Sequence, residues 1–221
     1  MISIVTGTLN RLHLLPFLIR NTIGTRKDME LVLVDGGSSD DTCQYIKDLN
    51  HPRIKLIEVG RRSPYPHYMN EGIKASSGEW IAQWNDEVTL IGGWSKVFRT
   101  LREPFDAFVF VWKRGHKAGP WINYCNWKNE MVMNYGIYNR RIFKEIGMYN
   151  HAYQYYCCDG DMLFRTWKKG YRIKVCEDIH VVEREGEKKQ AIHDMRDFAE
   201  YDRREGTYSD GKIPETVEFL K

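Results

Sequence analysis

Within its first sixty residues the chain alternates between short apolar runs and helical periodicity, and that alternation leaves few folds open. Ile2-Ser3-Ile4-Val5-Thr6 is an apolar run closed by the turn residues Gly7-Thr8-Leu9-Asn10. Leu12, Leu15, Leu18 and Ile19 then recur at helical spacing, with Asn21 and Gly24 near the stop. Leu31 to Val34 is a second buried strand, and Ile54 to Val59 a third. Between them lies a helix carrying Tyr45, Ile46 and Leu49, which Ser39 or Asp40 can cap. Successive strands separated by helices predict parallel pairing and a Rossmann-like start to an α/β sheet.

The later elements are read the same way. A basic loop, Gly60 to Pro66, leads to a short helix with Met69, Ile73 and the stem of Lys74 on its buried side, ending at Ser77-Gly78. Glu79-Trp80-Ile81-Ala82-Gln83-Trp84 then reads as a buried strand that runs straight into Asn85-Asp86-Glu87. Ligands of open α/β sheets collect at carboxyl ends of strands, and two adjacent carboxylates there suit a hard divalent cation; an acidic turn facing solvent is the alternative. Trp94, Val97, Phe98 and Leu101 mark a helix closed by Pro104. Ala107 to Trp112 is a strand, aliphatic on one face and aromatic on the other. Residues 113–135 are irregular, a loop length usually tied to function or mobility. Tyr135 to Tyr138 returns to the sheet, Arg140 to Ile146 is a helix ended by Gly147, and Cys158-Asp159-Gly160-Asp161 leads into a helix with Met162, Leu163, Phe164 and Trp167. Tyr171 to Cys176 is the last expected strand. From Gly186 the chain turns highly charged, with Ile192, Met195, Phe198 and Ala199 on one stripe of a surface helix.

Composition narrows the function classes. A net charge of +3 is too mild to argue for nucleic acid. The five cysteines show no metal-ligand spacing or disulfide framework, which favours a reducing compartment. No stretch approaches the ~20 apolar residues of a membrane span, and the start reads as a strand rather than a signal peptide. A soluble cytoplasmic protein is expected, with peripheral membrane contact open through a basic amphipathic C-terminal helix.

The segments Ile2 to Arg11, Leu33 to Thr42 and Asn70 to Ile81 resemble the family 2 (GT-A fold) glycosyltransferases. Ile137 to Gly147 is similar to the family's segment before the acceptor site, and Asp159-Gly160-Asp161-Met162-Leu163-Phe164-Arg165 to its acidic catalytic motif. The resemblance covers about residues 1–185. It implies a Rossmann-like, mostly parallel central sheet flanked by helices, with residues 1–90 binding the nucleoside diphosphate sugar donor, 91–185 taking the saccharide or glycoconjugate acceptor, and 186–221 a charged helical extension. It also implies inverting, metal-dependent transfer. Asn85-Asp86-Glu87 stands at the family's metal-binding tripeptide, so Glu87 and Asp86 are the implied ligands for Mn²⁺ or Mg²⁺. His180 or Glu183, after the last strand, would add a further one. Thr8 and Asp35 would line the nucleotide pocket with Asn70, and, with Met69 where relatives often carry an Arg, Arg61 or Arg62 could supply the charge facing the diphosphate. Asp159 is the implied catalytic base, with Asp161, Trp121 and Tyr156 toward the acceptor; Trp127, Tyr153 and Tyr155 are further candidates for that wall.

Three positions depart from the family pattern: Asn85 for an Asp, Gly36 for a second Asp, and Met69 for an Arg. They keep open a binding module that has lost catalysis. A nucleotidyltransferase is a third reading, but the first strand is not followed by the basic, glycine-rich phosphate loop such enzymes use.

Overall fold

The structure, a computed structural model, describes residues 1–115, 121 and 133–184. These residues form one eight-stranded sheet from β1 (Ile2–Thr8), β2 (Met29–Asp35), β3 (Ile54–Glu58), β4 (Trp80–Gln83), β5 (Val88–Ile91), β6 (Ala107–Arg114), β7 (Gly136–Asn139) and β8 (Ile173–Glu183), in the order β3-β2-β1-β4-β7-β6-β8-β5. The expected parallel start is present: β1 pairs in parallel with β2 and β4, and β2 with β3. β7 and β5 run the other way, while β8 again pairs in parallel with β6. The carboxyl ends of β1, β2, β3, β4, β6 and β8 therefore share one edge with the first residues of β5 and β7. That edge gathers Thr8, Asp35, Gln83, Glu87, Tyr135 and Glu183.

Among the described residues six helices cover the sheet: α1 (Leu15–Asn21), α2 (Thr42–Leu49), α3 (Tyr65–Ala75), α4 (Trp94–Thr100), α5 (Arg140–Ile146) and α6 (Cys158–Lys168). Period-two alternation along the strands divides the core into two layers. Ile2, Ile4, Leu31, Leu33, Phe108, Phe110 and Trp112 pack with α1, α2 and α4 on one face. Val5, Val32, Ile81, Ala107 and Val109 pack with α3, α5 and α6 on the other. The aromatic and aliphatic sides expected for β6 are these two layers. α3 lies close on the sheet because Gly72 has no side chain: a Cβ there would stand 2.3 Å from Val5 Cγ1. No described helix is long and apolar enough to cross a membrane.

Three boundaries differ from expectation. The last strand does not stop at Cys176 but runs to Glu183. A register irregularity opposite Phe110/Val111 lets the chain skip from Cys176 to His180 and resume pairing, and the exposed Glu177 and Asp178 in that bulge look like a strand end in sequence. His180 and Glu183 thus belong to β8 rather than following it. β5 was not expected; its four residues pair with the extended part of β8, Val88 with Glu183 and Ile91 with His180. Finally, α6 begins at Cys158, so Asp159 and Asp161 lie in its first turn. The expected helical extension at 186–221 and Trp127 fall outside the described residues.

Candidate active site

At the β1–β2 end, Thr8 and Asp35 are paired neighbours and both are buried. The Asp35 carboxylate accepts the Gly37 and Ser38 N–H groups at 2.8 and 2.9 Å and the Ser38 hydroxyl, so it shapes the turn that follows β2. That turn needs glycine at 37, where φ is +89° and a Cβ would lie 2.8 Å from the Gly60 carbonyl oxygen. Asn10 reaches over the same turn, its Oδ1 accepting the Ser39 N–H at 2.7 Å. Behind Asp35 sits Cys43, whose thiol is pushed up to about 12, first by burial and then by the Asp35 carboxylate. Thr8 Oγ1 is buried with no hydrogen-bond partner among the described residues, a group that a ligand at this edge can satisfy. Arg61 is exposed, and its main chain passes Gly36, with the Arg61 oxygen 3.7 Å from where a Cβ at 36 would stand.

At the β4 end, Asn85, Asp86 and Glu87 form the connection to β5, with Asp86 and Glu87 buried. Arg11 Nε stands 3.9 Å from Asp86. The extended β8 brings a third carboxylate to this edge: Arg184 N–H donates to the Glu87 carbonyl at 3.0 Å, and Glu183 is buried beside it. Glu183 accepts the Tyr135 hydroxyl at 2.7 Å and Arg114 Nε at 3.1 Å, while Asn85 Nδ2 donates to the same Tyr135 oxygen at 3.1 Å. Tyr135 sits edge-on to Trp84 and Trp112. Its pKa is raised well above the usual phenol value, chiefly by burial and then by Glu183. Tyr135 therefore works as a neutral donor.

These oxygen donors have the hardness that Mn²⁺ or Mg²⁺ requires. Among the described residues no three His, Cys, Asp or Glu side chains make a ligand set by themselves. The set thus fits a cation held by one or two carboxylates and completed by phosphate oxygens or water, the usual arrangement for Mg²⁺ on a nucleotide. His180 stands apart from Glu183: three residues along a strand place it about 10 Å away and on the opposite face. There its ring lies 4.4 Å from that of Trp121, which Lys113 also covers at 4.6 Å.

The third part of the site is the start of α6. Cys157 precedes the helix with φ +60° in the left-handed region, a strained conformation for a side-chain-bearing residue. Half-buried Asp159 follows. Desolvation pushes its carboxyl above the ordinary range, opposed by hydrogen bonds from its own N–H and those of Gly160 and Met133. Asp161 turns away: it is buried and paired with Arg165 Nε at 2.8 Å, and the same guanidinium donates to the Ile146 and Met148 carbonyls. Asn70 is likewise engaged, its amide exchanging two 2.9 Å hydrogen bonds with the Tyr149 main chain. Tyr156 is half-buried in the approach to α6, as is Tyr155, which Arg62 covers at 5.8 Å; Tyr153 is fully buried.

The segment from Met133 to Tyr135 joins the acidic edge to α6. Its Tyr135 hydroxyl reaches Asn85 and Glu183, and its Met133 N–H reaches Asp159. Tyr68 of α3 spans the same gap, its half-buried phenol lying within electrostatic reach of both Cys158 and Asp86. Sequence reasoning missed Gln83, Tyr135, Tyr149 and Tyr68 as members of the site. Only Gln83 carried a signal, as an amide inside an otherwise apolar strand.

Comparison with known proteins finds the same fold in solved glycosyltransferase structures. The mannosyltransferase PcManGT from Pyrobaculum calidifontis, solved in complex with GDP-Man and Mn²⁺, superposes with a TM-score of 0.68 at 16% identity, over 98% of this chain and 66% of that one. S. aureus TarS residues 1–349 gives 0.64 at 18% identity over 83% of this chain and 60% of that one. The same fragment with UDP-GlcNAc gives 0.65 at 16% identity over 87% and 61%. These likenesses establish the shared fold, and this chain spans less than two thirds of each. No curated protein sequence matches at a significant level. The profile described as glycosyl transferase family 2 matches residues 3–166, about three quarters of the 221 residues, and the chain therefore belongs to that family.

Proposed function

We propose that the chain transfers a sugar, with inversion, from a nucleoside diphosphate sugar to an acceptor hydroxyl. Thr8 and Asp35 orient the nucleoside, and Asp86 and Glu87 would hold a divalent cation, which would supply Lewis-acid stabilisation of the departing diphosphate. The Asp159 carboxylate takes the proton of the acceptor hydroxyl as its oxygen attacks the anomeric carbon in line with the leaving group. Transfer is then one displacement, with no covalent sugar–enzyme intermediate. The observation that carries this reading is the Met133–Tyr135 segment, which touches both the acidic edge and Asp159. In this arrangement residues 1–90 and 91–185 serve donor and acceptor respectively.

The test is a panel of nucleoside diphosphate sugars, beginning with UDP-GlcNAc and GDP-mannose, incubated with the full chain and Mn²⁺. Release of nucleoside diphosphate is expected from at least one donor, and its loss in Asp159→Asn. Binding of a donor with no release from it under any metal would instead favour a module without catalysis, the reading raised by Asn85.

A further inference from the structure

We infer that Gln83 and Tyr149 are positioning residues for the proposed base: they hold the Met133–Asn134 main chain so that the Met133 N–H stays on the Asp159 carboxylate. The inference rests on the reading of Asp159 as the base.

Gln83 ends β4 on the α6 side of the sheet, buried to 3% exposure. Its amide is used at both ends. Oε1 accepts the Tyr149 hydroxyl, while Nε2 donates to the Met133 carbonyl at 2.6 Å and the Asn134 carbonyl at 3.1 Å. A buried amide is costly unless its donors and acceptor are satisfied, so this side chain has one low-energy arrangement. Tyr149 is fixed in turn. Asn70 of α3 clamps its main chain from both sides, and its ring lies edge-on to Tyr65 at 5.8 Å. Met133 to Tyr135 belongs to no helix or strand, so its place is set by what grips it from outside.

That grip bears on Asp159 directly. Two of the N–H groups on its carboxylate, its own and that of Gly160, come with the first turn of α6. The third comes from Met133 and exists only while that segment is held. Hydrogen bonds to the charged form of a carboxylate favour ionisation, and burial opposes it. The other titratable groups facing Asp159 do not supply a substitute. The phenols of Tyr65 on α3, Tyr138 on β7 and Tyr149 are pushed far up by burial and stay neutral, and Cys158 lies beside them. On α6 itself, Asp161 and Arg165 are paired to each other. Release of the Met133 N–H therefore drives the Asp159 pKa further up, and a base that holds its proton cannot accept another.

The experiment titrates Asp159 directly in the full chain, by NMR of protein carrying carboxyl-¹³C aspartate. The resonance is assigned by its absence in Asp159→Asn. Gln83→Met keeps the length and loses the amide; Tyr149→Phe keeps the ring and removes only the donor to Gln83. Both variants are expected to move the Asp159 midpoint upward by roughly half to one unit, with the other aspartates unmoved. An unchanged midpoint in both variants overturns the inference. If Gln83→Met does not fold, the Tyr149→Phe midpoint alone decides. Donor turnover separates this result from the reading it rests on. Asp159→Asn that keeps parental turnover removes the base assignment even where the midpoint moves. If turnover is lost in Asp159→Asn while Gln83→Met and Tyr149→Phe titrate like the parent, only the positioning role falls.

Discussion

Asp159 is a carboxylate whose environment works against its charge, and that has two measurable consequences. A general base must be ionised, so transfer should fall as pH drops through the raised pKa, on a limb displaced above the ordinary aspartate range. For stability the sign is opposite to that of a salt-bridged carboxylate. The folded state binds its proton more tightly than the unfolded chain, so this residue's share of stability declines as pH rises from the unfolded to the folded pKa. Asp159→Asn should therefore lower turnover by about 10²–10⁴-fold, while its Tm at neutral pH is no lower than the parent's in a thermal melt. A variant that loses both activity and several degrees of Tm would identify Asp159 as structural. The residue's type and its place before an apolar helix were legible in the sequence. Its raised pKa was not, because that comes from desolvation, and the burial that causes it exists only once the chain has folded.

Elements here are held by contacts that single residues permit or forbid. α3 rests on β1 and β2 across Gly72, where a methyl group would meet Val5 and, at 3.1 Å, Val34. Gly72→Ala should cost about 1–3 kcal/mol from overpacking, read from the urea midpoint, despite alanine's better helix propensity. At the amino ends of the strands, the buried Glu30 carboxylate ties β2 to β1 and to the turn before β4. It accepts the Ser3 hydroxyl at 2.5 Å, the Gly78 N–H at 3.2 Å, the Ser77 N–H and Lys55 Nζ at 3.1 Å. Burial alone would raise its pKa, but these donors outweigh it and hold it below the usual value. Glu30→Ala should cost roughly 1–3 kcal/mol, by leaving buried donors unpaired. Because the group's folded pKa is depressed, that difference from the parent should shrink as pH falls through it. Donor affinity should be unchanged, since the donor edge is at the other end of these strands. The apolar runs announced β1 to β4 in sequence, whereas β5 is only four residues long and is defined by its pairing with β8.

For the molecule as a whole, a donor would complete, on the proposed reading, a cation site for which the described residues alone offer no full ligand set. Nucleoside diphosphate sugar and Mn²⁺ together should raise the apparent stability by about 2.7 kcal/mol at a hundred times Kd. Excess EDTA should remove most of that gain, and an EDTA-insensitive gain in thermal melts would place the donor's affinity in side chains rather than a cation. Sequence by itself determined the fold class, because apolar runs of strand length alternating with helical stripes can be buried only as helices on a largely parallel sheet. It also placed Asp35, Asp86, Glu87 and Asp159 at element ends, since turn and cap chemistry is local. Tertiary structure decided the company those residues keep. Glu183 reaches the acidic edge through a bulge that carries β8 past its apparent end, and Asn70 and Asp161 are drawn into tying Tyr149 and Arg165. Asp159 meets a segment also gripped by Gln83, far from it along the chain. Such pairings depend on register and packing across the sheet, which no local pattern in the chain encodes.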